Sequence, residues 1–142
     1  MIVLDTDHLS CLEWGSEESS RLRERLADVP DGSVAVSIIS YEEQMRGWLS
    51  HLAQNTSLDR QVSIYGKLRR HLQTYCSVPI ADFTSDAANR FEDLRRQRLR
   101  VGTMDLKIAA ICLSLDALLL TRNTRDFEKV PGLKIADWTT LL

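Results

Sequence analysis

Cysteine and histidine are scarce in this chain, and their arrangement removes several chemistries at once. Cys11, Cys76 and Cys112 are odd in number and widely spaced. None stands near another Cys or a His at zinc-ligand spacing, so neither a disulfide framework nor a zinc site is expected, and the three read as reduced, mostly buried thiols. His8, His51 and His71 read as surface or packing residues. No glycine-elbow serine and no Cys/His signature is present, which removes the common protein nucleophiles. No apolar run approaches the ~18 residues of a membrane span, and no basic segment leads an apolar one at the N-terminus, so a cytoplasmic protein is expected. Repeats, low-complexity stretches and linkers are also missing.

What is present is an ordinary globular composition. Of 142 residues, 44% are apolar and 27% charged, with a net charge of −2; that length suits a single domain over 1–142 with a real core. The charge gives no global pull toward a polyanion. It is unevenly placed, however, with Arg90, Arg95, Arg96, Arg98 and Arg100 crowded into one segment.

Short apolar runs alternate with helical periodicities. Ile2 to Leu4 suits a strand covered on both faces, followed by a helix over His8 to Trp14 capped by Asp7. Ser16 to Ala27 reads as a surface helix and Val34 to Ile38 as the second strand. Ser40 opens a helix with the stripe Tyr41, Met45, Trp48, Leu49 and Leu52. A second stripe follows at Leu58, Val62, Tyr65, Leu68, Leu72 and Tyr75, and the two helices form a protruding hairpin whose stripes pack in the core or in a dimer. Val78 to Ile80 is a brief strand near a sheet edge, because Pro79 cannot donate to the ladder. Thr84 to Arg98 is helical, and Met104 to Leu115, apolar nearly all round, reads as the buried central helix. Leu118 to Thr121 is the next buried strand, and Leu133 to Ala136 closes the sheet. This alternation predicts an α/β fold with a central, mainly parallel sheet of four to five short strands flanked by helices.

Acidic residues sit where these elements end or begin. Asp5 closes the first strand, Glu43 follows the second, Asp105 opens the apolar helix and Asp126 follows the Leu118 strand. In a wound parallel sheet, strand carboxyl ends and the following helix starts share one edge, so these distant acids become neighbours. Each also has a structural reading. Asp5 suits a turn, Asp7 a helix cap, and Ser40-Tyr41-Glu42-Glu43 a capping box. Asp105 suits the positive end of a helix dipole, and Asn123 and Asp126 suit turn chemistry. A buried carboxylate without a partner is costly, and a cation relieves that cost. Oxygen donors without clustered histidine or thiolate specify Mg²⁺ or Mn²⁺, which commonly bridge to phosphate and activate water.

Four segments in order, Ile2-Val3-Leu4-Asp5-Thr6-Asp7, Ser37-Ile38-Ile39-Ser40-Tyr41-Glu42-Glu43, Met104-Asp105-Leu106-Lys107-Ile108-Ala109-Ala110 and Thr121-Arg122-Asn123-Thr124-Arg125-Asp126-Phe127, resemble PIN-domain ribonucleases of the VapC toxin type. The resemblance covers essentially the whole chain. It implies a PIN-like fold and a Mg²⁺- or Mn²⁺-dependent endoribonuclease that hydrolyses RNA with a metal-activated water. It also implies a homodimer that acts as the toxin of a toxin-antitoxin pair and is silenced by a cognate antitoxin. Asp5, Glu43 and Asp105 match the family's three best-kept acids, with Asn123 and Asp126 open as the fourth position. Thr6 matches a hydroxyl that orients the first Asp, and Ser40 a hydroxyl beside the site. Glu42 adjoins Glu43, which is preferred because it stands three residues past Ser40.

Arg69, Arg70, Arg95, Arg96, Arg98, Arg100, Arg122 and Arg125 are candidates for holding RNA phosphates. Arg122 and Arg125 are preferred for their place beside the acids, and pairs such as Glu92 with Arg96 read as a solvated helix face. Two other functions compete. Asp5-Thr6-Asp7 also resembles the first motif of haloacid-dehalogenase-type phosphatases, with Asp5 as nucleophile, although Thr121-Arg122-Asn123 stands where that family needs an acidic motif. The alternative from another class is a catalytically silent PIN-like interaction module.

Overall fold

The computed structural model describes residues 1–140, with Trp14 described in its backbone only; Leu141 and Leu142, the end of the expected 1–142 domain, lie outside the described residues. Twelve elements run β1 (Ile2–Leu4), α1 (Thr6–Trp14), α2 (Glu17–Ala27), β2 (Val34–Ser37), α3 (Ile38–Gln54), α4 (Leu58–Ser77), β3 (Ile80–Ala81), α5 (Ser85–Arg96), α6 (Thr103–Ser114), β4 (Leu118–Leu120), α7 (Thr124–Phe127) and β5 (Lys134–Ala136). The five strands pair in the order β3-β2-β1-β4-β5, every pair parallel.

Period-two alternation sorts the strands onto two cores. Val3, Ala35 and Leu119 face the layer of α5, α6 and α7. Ile2, Leu4, Val36 and Leu120 face α1, α2 and α4. The central strands β1 and β4 are therefore apolar throughout, as a sheet covered on both faces requires, while the edge strand β5 carries the exposed Lys134. Helix α6 is the buried central helix that its composition predicts, with Leu106 and the run Ile108 to Cys112 buried. Pro79 precedes the edge strand β3 and contributes its carbonyl to Val36 N–H at 3.0 Å. The ladder thus needs no donor from it.

Helix starts differ from expectation in two places. Asp5, not Asp7, caps α1, its carboxylate accepting from Thr6 N–H at 2.8 Å. β2 ends at Ser37, and α3 begins at Ile38 without a connecting loop. Ser37 is the cap there, accepting from Ser40 N–H at 3.1 Å. That replaces the Ser40–Glu43 capping box, because a hydroxyl already sits three residues ahead of Ser40, and Glu43 is left free of any capping duty.

The hairpin of α3 and α4 buries only part of its stripes within the chain. The buried residues of α4 are Ile64, His71 and Tyr75, with Leu68 half-buried. Leu58, Val62, Tyr65 and Leu72 face solvent. One face of the predicted stripe is rotated outward because aromatic packing fixes the helix's roll: His71 stacks on Tyr41 with centroids 5.4 Å apart, and Tyr75 meets Tyr41 edge-on at 5.1 Å. Ile64→Ala is expected to cost about 2–5 kcal/mol of unfolding free energy, whereas Val62→Ala, two residues away on the outer face, should stay within ~0.5 kcal/mol. Urea denaturation of both variants at low protein concentration measures the contrast.

Candidate functional site

The site is assembled by strand register. Leu4 of β1 is level with Val36 of β2 and with Leu120 of β4. Asp5, the start of α3 and Thr121 therefore emerge side by side at the carboxyl edge of the three central strands. The chain winds from β1 through β2 to β3 on one side of β1 and then crosses to β4 and β5 on the other, and this reversal opens the crevice where wound sheets bind ligands.

Asp5 is buried there at 8% exposure. One carboxylate oxygen accepts from Thr6 N–H, and the other accepts from the Thr121 hydroxyl at 2.8 Å. Burial, then the neighbouring charge of Asp7, pushes its pKa up to about 6 against these hydrogen bonds, with Asp105 adding to the rise. Glu43, in the second turn of α3, is pushed up to about 7 by burial and then by the charges of Asp105 and Asp5. Its Oε1 is buried without a hydrogen-bond partner. Glu42, its neighbour, instead pairs with Arg46 at 2.6 Å on the outside of the helix.

Asp105 stands in the first turn of α6 and is also raised, by burial and then by Asp126 and Asp7. Asn123 joins the remaining pair. Its Nδ2 reaches Asp126 Oδ2 at 3.1 Å and Asp105 Oδ2 at 3.5 Å. That bond holds Asp126 below the usual carboxylate range, helped by Lys129. Asn123 and Asp126 thus stand together, the amide as a donor between two acids.

Sequence reasoning missed three participants. Thr121, not Thr6, supplies the hydroxyl that orients Asp5; Thr6 Oγ1 is buried without a partner, since the helix turns it away while its amide does the capping. Asp7 belongs to the acidic group rather than to a cap. It accepts from Arg122 N–H at 3.0 Å and shares its other oxygen with His8 Nδ1 at 2.8 Å. His8 is fully buried, and its Nε2 accepts from Trp138 N–H at 3.2 Å. The network assigns the proton to Nδ1. A histidine directly beside an acid in an apolar helix start was the signal available in the sequence. Ser40 is buried, its Oγ accepting from the Ser37 hydroxyl at 3.3 Å. Arg122 pairs with Glu18 of α2 at 3.1 Å, while Arg125 is exposed. In α5, Asp86–Arg90 keeps the expected i,i+4 spacing, while Arg96 pairs with Asp93 rather than Glu92, which pairs with Arg95.

Among the described residues no three Asp, Glu, His or Cys side chains form a group that would hold a metal ion as they stand. The donor set still fits a hard cation. Mg²⁺ keeps several waters and takes one or two carboxylates, and the orphaned Glu43 oxygen beside two raised acids is a cation-seeking arrangement.

The raised acids make folding pH-dependent with a definite sign. The ordinary values are 3.8 for Asp5 and 4.5 for Glu43; folding lifts both, so the native state binds more protons than the unfolded chain between about pH 4 and 7. Metal-free stability should therefore fall as pH rises through that window. Asp5 contributes on the order of 2–3 kcal/mol, and half-buried Glu43 contributes less because solvent screens it. Chelated protein melted at steps from pH 4.5 to 7.5 tests this, and added Mn²⁺ should restore most of the lost stability at the upper end.

Comparison with known proteins agrees with the site's chemistry. The family model described as "PIN domain" matches residues 2–133. A Shigella flexneri relative named "tRNA(fMet)-specific endonuclease VapC" is 35% identical, with 96% of this chain and 97% of the relative covered. The structure of VapBC-1 from nontypeable Haemophilus influenzae superposes with a TM-score of 0.77 at 25% identity, covering 99% of this chain and 100% of that one. A toxin-antitoxin complex from Klebsiella pneumoniae gives 0.68 at 25% identity, covering 97% and 98%. A family match spanning nearly every element, with a close relative aligned almost end to end, establishes that this chain belongs to the PIN-domain family, in its VapC group.

Proposed function

We propose that this protein is a metal-dependent endoribonuclease that acts as the toxin of a toxin-antitoxin pair, with RNA as substrate and a cognate antitoxin as its inhibitor. The observation that carries the reading is the meeting of Asp5, Glu43 and Asp105 at one sheet edge with a buried Glu43 oxygen left unpartnered. The endonuclease name of the Shigella relative and the toxin-antitoxin title of the Klebsiella complex support it. Neither alternative function finds similar support. Both oxygens of Asp5 are engaged as acceptors, which ill suits a phosphatase nucleophile, and an intact set of acids is not what a silent interaction module needs.

Asp5, Glu43 and Asp105 are the proposed ligands of Mg²⁺ or Mn²⁺, with Asp126 at the margin and Asn123 as the amide that spaces Asp105 from Asp126. Such an ion, when bound, supplies Lewis-acid activation of water and neutralises charge on the phosphodiester. The chain's own residues do the rest. The Thr121 hydroxyl fixes the carboxylate plane of Asp5, and Asp7 fixes the Arg122 backbone, so that the β4–α7 turn holds Asn123 in place. Ser37 and Ser40 brace the first turn of α3 and with it Glu43. Among the described residues no helix is long and apolar enough to cross a membrane; we place the protein in the cytoplasm with its RNA, as a homodimer.

Two outcomes are expected. Asp105→Asn should abolish Mn²⁺-dependent RNA cleavage while metal-free melting temperature at pH 7.5 holds or rises, since removing one charge relieves repulsion among the others. A loss of several kcal/mol in that variant would make Asp105 structural and sink the assignment. Thr121→Val should cut cleavage or metal affinity by about 10–100-fold, the usual cost of losing a group that orients a ligand, measured on a labelled RNA across a Mn²⁺ titration.

A further inference from the structure

Backbone conformation singles out two arginines that the acidic site does not explain. Arg98 and Arg100 have φ of 52° and 60°, in the left-handed region. That region disfavours side chains with a Cβ, and Asn or Asp tolerate it better than Arg. Elsewhere the chain meets the same demand with glycine, at Gly15, Gly32 and Gly132 with φ of 60°, 80° and 78°, and once with aspartate, at Asp116 with φ of 50°. Arg98 follows the C-cap of α5, the position where glycine ordinarily ends a helix. The sequence thus keeps arginine twice within three residues where glycine would be the relaxed choice. Residues held against backbone preference cluster at functional sites.

The place of this turn is as telling as its conformation. It leads directly into α6, whose first turn carries Asp105. The Arg100 carbonyl accepts from Lys129 Nζ at 3.4 Å, and the same ammonium reaches Asp126 at 3.4 Å. Through Asp126 and Asn123 the turn is tied to Asp105. Within α5, Arg90, Arg95 and Arg96 are each matched to an acid. Arg98 and Arg100 are exposed and have no ion-pair partner among the described residues. Arg122, preferred from the sequence as a phosphate contact, is occupied by Glu18.

We propose that Arg98 and Arg100 form a phosphate-binding edge of the site, gripping the RNA backbone beside the carboxylates through two guanidinium groups pinned by the α5–α6 turn. The inference rests on the nuclease reading above and deepens it. A polyanion entering an acidic crevice needs compensating cations, and guanidinium suits phosphate oxygens through paired N–H donors. Two unpaired arginines at the rim supply that charge without an internal acid to compete for it. The contacts are to backbone phosphate and carry no base selectivity of their own.

Glycine substitution tests the idea through effects of opposite sign. In an Asp105→Asn background, which binds without cutting, Arg98→Gly and Arg100→Gly should each weaken binding of a fluorescent single-stranded oligoribonucleotide by roughly 3–10-fold at low salt. Each should also lower the slope of log affinity against log salt by about 0.7. Melting temperature should hold or rise, because glycine relaxes the turn. Asp116→Gly is the control: Asp116 shares the conformation, with φ of 50°, but lies past the far end of α6, so its RNA affinity should not change. Unchanged affinity and salt slope in both arginine variants would overturn the proposal and leave the turn a structural cap. Loss of affinity with a fall in melting temperature would likewise overturn it, since the arginines would then support the fold. Cleavage by the wild-type chain separates the two levels: if it cuts RNA with Mn²⁺ while the glycine variants bind normally, only the arginine edge fails, and if it neither cuts nor binds, the nuclease reading fails with it.

Discussion

Parallel pairing of β1 on both of its edges is the constraint on which the site depends. With Leu4 level with Val36 and Leu120, three chain segments far apart in sequence must leave the sheet at the same height. Each then turns immediately into a helix or tight turn, so Asp5, the start of α3 and Thr121 stand at one edge. A slip of one residue in β4 would exchange the inward and outward faces of Leu118, Leu119 and Leu120 and carry Thr121 away from Asp5. The two apolar cores prevent that slip, because Leu119 and Leu120 are each fully buried on opposite faces.

The resulting cluster is unfavourable for folding and is held by structure that lies around it. Asp5, Glu43 and Asp105 are all raised by burial and by neighbouring negative charge. Opposing this are the Thr121 hydroxyl, the α1 cap and the amide of Asn123. Stability given up at such a point is commonly recovered elsewhere; here the central helix α6, buried along most of its length, brings Asp105 to the crevice on a rigid support. The same logic extends to the α5–α6 turn. There the backbone is held in a conformation that favours glycine, and the Arg100 carbonyl is tied through Lys129 to Asp126.

His8 illustrates how far the site reaches. Its ring connects Asp7 to the backbone at Trp138, near the end of the described chain, and Arg21 ties α2 to the Thr139 carbonyl at 2.9 Å. The last segment is therefore part of the frame that holds the β4–α7 turn. Arg122 closes the frame on its outer side through Glu18.

Local sequence patterns determined the elements themselves. Apolar runs of three or more residues marked β1, β2 and β4, and the all-round apolarity of 104–115 marked the central helix, because burial leaves a direct imprint on composition. They also marked the acids Asp5, Glu43 and Asp105, whose positions at element ends follow from chain order alone. Tertiary structure decided what each polar group does. Whether Ser37 or Ser40 caps α3, whether Thr6 or Thr121 steadies Asp5, and whether Asp7 caps a helix or joins the acids all turn on neighbours more than a hundred residues away or on a strand end shifted by one residue. The outward face of α4 was likewise settled by the stacking of Tyr41, His71 and Tyr75, since helical spacing sets which residues share a face but not which face meets a partner.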